Sequence, residues 1–158
     1  MKKIIIEYLY LDLTVCDRCI GTDVVVRSVV DKLRPAFEIA GYELELRMVE
    51  MKDIEVARKY RLMTSPTIRV NGMDICESVK ESDCGCCGDI SGTQVDCRVF
   101  TYEGVDYDVP PEAMVAEGIL SKAFQKPADD PMPYSMPENL IRFFEGKGSD
   151  IPMIRRCC

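Results

Sequence analysis

Nine cysteines and no histidine stand in this 158-residue chain, the cysteines at positions 16, 19, 76, 84, 86, 87, 97, 157 and 158. Without an imidazole there is no Ser-His or Cys-His nucleophilic pair, and a transition-metal site has to be built from thiolates and carboxylates. One candidate is Cys16-Asp17-Arg18-Cys19. Two cysteines at this spacing close a small disulfide, and one becomes a nucleophile where its surroundings favour thiolate. Arg18 and the N-terminus of a following helix are the positive ends at hand. The same spacing also serves two structural cysteines or half of a metal site. A second candidate is Cys84-Gly85-Cys86-Cys87 together with Cys97. Four thiolates hold zinc tetrahedrally and three bind a soft metalloid such as trivalent arsenic, whereas a disulfide relay or a set of inert thiols uses the same residues differently. The run does not read as the paired Cys-x-x-Cys knuckles of a zinc ribbon. Asp83, Asp89 and Asp96 beside it read as solvated loop charges.

The elements that must position these residues follow from periodicity. Residues 2–13 are almost continuously apolar to Leu11, as in a strand buried on both faces of a sheet. Lys2 and Lys3 before three isoleucines imitate the start of a signal peptide, but Glu7 and Asp12 interrupt the run, which favours the strand. From Thr22, an expected N-cap, Val25, Val29, Leu33, Phe37 and Ala40 form a helical stripe that Pro35 should kink or restart. Tyr42, Leu44, Leu46 and Met48 alternate with charges, as in a strand, and residues 53–63 suit a helix over the sheet. Thr67 to Val70, the type I′ turn Asn71-Gly72 and Met73 to Cys76 form a hairpin. Residues 80–96 lose periodicity and read as a cysteine-rich loop. Cys97 to Tyr102 and Val105 to Val109 around Glu103-Gly104 suggest a second hairpin, and Pro110-Pro111 opens a helix bearing Ala113, Ala116, Leu120 and Phe124. Five prolines between positions 127 and 152 point to an extended tail with one short helix around Asn139 to Phe144.

A formal charge of -7 and the lack of a basic face exclude a nucleic-acid partner. No apolar run reaches membrane-spanning length, so a soluble protein with no membrane partner is expected. Cysteines in odd number, with no export signal, suit a cytoplasmic protein with catalytic or metal-binding thiols better than a disulfide framework. Acid-base hydrolysis and phosphate binding find no motif.

Ser65-Pro66-Thr67 opens the strand that enters the first hairpin. A dithiol after the first strand, with a strand-opening proline some fifty residues on, resembles the thioredoxin-like superfamily over residues 2–78. The resemblance implies an α/β fold, a mixed sheet flanked by helices. It also implies that Cys16 is the attacking cysteine and Cys19 the resolving one. Pro66 would be cis and packed against the disulfide, and the backbone of Ser65 would pair with a substrate chain. Val15 and Asp17-Arg18 replace the tryptophan and Gly-Pro usual around the dithiol, and Tyr10, Asp12 or Glu7 would stand in for the buried carboxylate. The cysteine-rich insertion is similar to that of a small prokaryotic family of thioredoxin-like proteins, which carries a fold and no established activity.

The expected organisation is a thioredoxin-like domain over 1–125, with a Cys-rich loop insertion at about 80–97, and a Pro-rich tail over 126–158. The leading functional expectation is a thiol-disulfide oxidoreductase that needs no cofactor for exchange, acting on a protein or small-molecule disulfide and regenerated by a reductase. Its rival is a binding protein that holds zinc, mercury or arsenic through Cys84, Cys86, Cys87 and Cys97. Cys157 and Cys158 after Arg155-Arg156 resemble the mobile shuttle pair at the end of mercuric reductases, where a ragged terminus is the plain alternative.

Overall fold

Strand β1 (Lys2–Tyr10) carries Ile4, Ile6 and Tyr8 toward one side and Leu9, with Leu11 beyond its end, toward the other, all buried. A strand apolar on both faces needs neighbours on both edges and cover on both faces, and a computed structural model of the chain, describing residues 1–129 and 132–147, supplies them. Helix α1 (Asp17–Ile39) crosses over to β2 (Tyr42–Glu50), which pairs parallel with β1 from Lys2↔Tyr42 to Tyr10↔Glu50. After α2 (Ile54–Lys59), β3 (Thr67–Val70) pairs antiparallel on the other edge of β1 and returns as β4 (Met73–Asp74). The first sheet therefore has the order β2-β1-β3-β4. Asn71 and Gly72 have φ of 50° and 83°, the left-handed pair that a type I′ turn requires, and Asn71 Oδ1 accepts the amide of Ile5.

The second part is β5 (Lys80–Asp83), α3 (Gly85–Ser91), β6 (Asp96–Tyr102) and β7 (Val105–Tyr107), with the strands in one sheet ordered β5-β6-β7. Helices α4 (Glu112–Lys122) and α5 (Glu138–Lys147) follow. The chain is thus a mixed α/β fold with two sheets and five helices among the described residues. On one side of β1, Val26, Val29, Val30 and Phe37 of α1 and Val115 and Ile119 of α4 close over Ile4, Ile6 and Tyr8. On the other, Leu9 and Leu11 meet Met51, Ala57 and Leu62, six cysteines from the starts of α1 and α3 and from β6, and Leu140, Phe143 and Phe144 of α5. No helix among the described residues is long and apolar enough to cross a membrane.

Five local expectations are corrected. Helix α1 begins at Asp17, not after Thr22: Cys16 is the extended N-cap, its carbonyl accepts the Ile20 amide at 2.9 Å, and Thr22 lies buried within the helix. Gly21 fits there because a Cβ would come within 2.7 Å of Val109 Cγ2. Pro35 does not divide the helix. It forfeits a single ladder bond near the C-terminal end, where buried Phe37 anchors the last turn. Residues 80–96 are a strand and a helix, because Cys86, Cys87 and Ser91 supply a buried face that apolar periodicity does not reveal. The tail helix runs over Glu138–Lys147 and docks on α3 as part of the core. A Cβ on Gly146 would stand 2.1 Å from the Ser91 carbonyl oxygen, so only glycine allows that approach. The hairpin returns are also shorter than expected, β4 ending at Asp74 and β7 at Tyr107.

Candidate metal centre

Two helices begin on a cysteine. Cys16 is the N-cap of α1 and Cys19 its third residue; Cys84 is the N-cap of α3 and Cys87 its third residue. Residues at this separation share a helix face in the first turn, so each Cys-x-x-Cys directs two sulfurs the same way. Asp12 sets up the first turn: its Oδ1 accepts the amides of Thr14 and Val15, both at 2.7 Å, and curls the chain into Cys16. At the second turn the Cys84 amide donates to the Val95 carbonyl at 2.8 Å, and β5 hands the chain directly to α3. Cys97 comes from β6, opposite Ser82 of β5.

The sulfurs of Cys16, Cys84, Cys87 and Cys97 all lie within 4.8 Å of one another. Cys87 Sγ stands 3.7 Å from Cys16 Sγ and 3.5 Å from Cys97 Sγ. Cys16, Cys87 and Cys97 have 0 % exposure and Cys84 has 4 %. Hydrogen bonds first from Cys19, then from Cys84, Cys87 and Cys97, hold the Cys16 thiol below its ordinary range against the opposing effect of burial. Cys84 is also lowered: contact with Cys16 pushes it up, and Cys87 and Cys97 more than reverse that. Cys87 and Cys97 are pushed up, first by Cys16 and then by Cys84. Four close thiols in an apolar core cannot all ionise alone, since each thiolate suppresses the next.

Arg18 and Arg98 fasten the three segments together. Arg18 donates to the carbonyls of Cys97 and Asp83, each at 3.0 Å, and to Ser82 Oγ at 2.8 Å, with Asp108 3.4 Å away. The guanidinium thus clamps β5 and β6 to the α1 start. Arg98, fully buried, pairs with Asp74 at 2.8 Å and donates to the carbonyls of Cys76 and Ser78. Its backbone amide donates to the Ser65 carbonyl at 2.8 Å, joining β6 to the loop before β3.

Of the residues singled out from sequence, Cys16, Cys84, Cys87 and Cys97 come together. Cys86 does not join them: it is disulfide-bonded, and its Sγ lies 4.0 Å from an Asp17 carboxylate oxygen. Cys19 is fully buried on the same helical turn as Cys16, with Ser65 Oγ 3.9 Å from its sulfur and its carbonyl accepting the Tyr8 hydroxyl at 2.5 Å. Contact with Cys16 first, then burial, raises the Cys19 thiol. The Ser65-Pro66 bond is cis, as the resemblance implied, and Ser65 Oγ accepts the Leu11 amide. Cys157 and Cys158 lie outside the described residues. Arg98 and Asn139 were missed. Asn139 brackets the amide and carbonyl of Asp96 at 2.8 and 2.7 Å, ordering the strand that carries Cys97. The second Cys-x-x-Cys, Cys84 with Cys87, was legible in the spacing but hidden by Cys86 between them.

Compared with known proteins, the chain matches a family described as "Domain of unknown function (DUF2703)" over residues 4–119. No curated protein and no solved structure matches it.

Proposed function

The chain belongs to the DUF2703 family, and we propose that it is a binding protein for a soft metal ion, held by the four thiolates of Cys16, Cys84, Cys87 and Cys97. The observation that carries this reading is the meeting of four buried sulfurs within 4.8 Å, drawn from the starts of two helices and from one strand. A tetrahedral zinc site with Zn–S bonds of about 2.3 Å has sulfur-to-sulfur edges of about 3.8 Å. The two closest contacts here, 3.5 and 3.7 Å, match that spacing. A dication removes the mutual suppression among the thiols and gives four buried sulfurs a common partner. An all-sulfur tetrahedron favours zinc or iron among common metals, and thiophilic mercury is served by the same donors. The test is elemental analysis of protein purified without chelator and after reconstitution with zinc, with cobalt(II) as a spectroscopic substitute. One ion per chain and the absorption of tetrahedral cobalt thiolate are expected. Reduced, folded protein that takes up neither ion would overturn the reading.

A second reading, thiol-disulfide exchange by Cys16 and Cys19 on a thioredoxin-like scaffold, draws support from the placement of both thiols on the first turn of α1 and from the parallel and antiparallel pairings of the first sheet. Access weighs against it: both sulfurs have 0 % exposure. The Ser65 carbonyl, which such a scaffold offers to a substrate chain, already accepts the Arg98 amide. On this view β6 occupies the substrate's place and presents Cys97 to Cys16, as a ligand and not as a leaving group. Insulin reduction by the wild-type protein that disappears in Cys16→Ser would restore the exchange reading to first place.

A further inference from the structure

Resting on the four-thiolate reading, we infer that metal occupancy and the oxidation state of the Cys16–Cys19 pair exclude one another, so that peroxide releases the ion by closing that disulfide. Cys16 is shared: it is one of the four converging sulfurs and also the N-cap of the helical turn whose third residue is Cys19. Among the described residues Cys19 is the free thiol that shares a helical turn with one of the four from outside the set, whereas Cys76 is hydrogen-bonded to Ser78 elsewhere. The pair occupies the N-cap and third positions of one helical turn, a separation from which a disulfide closes without moving another element. With the ion in place, Cys84, Cys87 and Cys97 are all ligands, which leaves Cys19 as the thiol able to resolve an oxidised Cys16.

The electron count closes with hydrogen peroxide as oxidant. The Cys16 thiolate attacks the O–O bond, forming a sulfenic acid and releasing hydroxide, which takes a proton from solvent to become water. The Cys19 thiol then displaces the sulfenic hydroxyl as a second water, and the S–S bond forms. Two sulfurs lose two electrons, peroxide becomes two waters, and the ion is left with three thiolates. A water-sized oxidant suits sulfurs without exposed surface, and a cavity of about 260 Å³ lined by Asp17, Arg18 and Cys84 opens beside the cluster. Reciprocity follows: because oxidation expels the ion, the bound ion must protect Cys16 from oxidation.

The experiment loads the full chain with zinc, adds hydrogen peroxide and follows release with a chromogenic zinc indicator, mapping disulfides by peptide mass spectrometry. One zinc per chain should leave in step with a Cys16–Cys19 disulfide, and a dithiol reductant should restore binding. Cys19→Ser should still bind one zinc but lose it at least about tenfold more slowly, because the sulfenic acid has no resolving thiol. Cys19→Ala, with circular dichroism to verify folding, guards against a packing defect in the serine variant. Release at the wild-type rate from either folded variant, or a disulfide between Cys87 and Cys97, which lie 3.5 Å apart, overturns the inference and leaves the metal site standing. Failure of the reduced wild-type protein to take up zinc overturns the four-thiolate reading itself.

Discussion

The chain contains the same short device twice, and the two copies behave differently. At the start of α3, Cys84 and Cys87 both turn into the cluster; at the start of α1, Cys16 joins it and Cys19 is held back against Ser65. Spacing puts two sulfurs on one face of a first helical turn in each case. What docks on that face decides the rest. Cys97 and the Cys16 turn meet α3, whereas Tyr8 and the loop before β3 hold Cys19. The α3 copy therefore commits both thiols to one task, and the α1 copy keeps one in reserve.

The largest way to break the comparison is Cys87→Ser. Cys87 touches both Cys16 and Cys97, so its loss should abolish stoichiometric zinc binding by elemental analysis, whereas Cys19→Ser should keep one ion per chain. Equal retention in the two variants would erase the distinction between the turns. Next is Phe143→Ala, which opens a cavity under the lid that α5 lays on α3. Phe143 has 0 % exposure and belongs to the cysteine-containing core, so urea unfolding should show a loss of about 3–5 kcal/mol. A loss below about 1 kcal/mol would mean that α5 does not support the second turn.

Arg18→Ala should weaken zinc binding by about 10–100-fold in a chelator competition, the range for residues that orient ligands without touching the ion. Arg18→Lys should recover only part, because one ammonium cannot reach Ser82, Asp83 and Cys97 together. The smallest effect concerns pH. Burial raises Glu81, although Thr64 and Asn139 both donate to its carboxylate. An acid raised in the fold stabilises below its unfolded pKa and loses that contribution as pH rises through the folded value. Glu81→Gln should therefore flatten the decline of the urea midpoint just above the ordinary carboxylate range. An unchanged slope would remove Glu81 as its source.

The first sheet was legible because its signals are local: apolar β1, alternating β2 and the Asn71-Gly72 turn each specify themselves. The segment from Lys80 to Asp96 was not, because the buried face of α3 is made of cysteine and serine and is completed by α5, some fifty residues later. All four cluster residues were noticed, but as two separate sites; nothing in the chain before folding places Cys16 next to Cys87. Arg98 sits in an alternating strand where a charge ordinarily faces water, and the Asp74 carboxylate together with the carbonyls of Cys76 and Ser78 explains its burial. Cys86 was drawn into the expected metal set by adjacency alone, whereas the neighbouring turn position carries Cys87 toward the cluster.

The ligand set also has a topological consequence. Its first and last members, Cys16 and Cys97, stand at the two ends of a stretch that includes most of the first sheet and the whole of α3. An ion bound to both is a cross-link, removable by a chelator, that closes a loop of roughly eighty residues, and loop-closure entropy grows only slowly with length. Such a tie is costly to make early and hard to undo late. The ion would therefore stabilise the folded chain chiefly by slowing its unfolding, since the contacts that complete the site join segments that are distant in sequence.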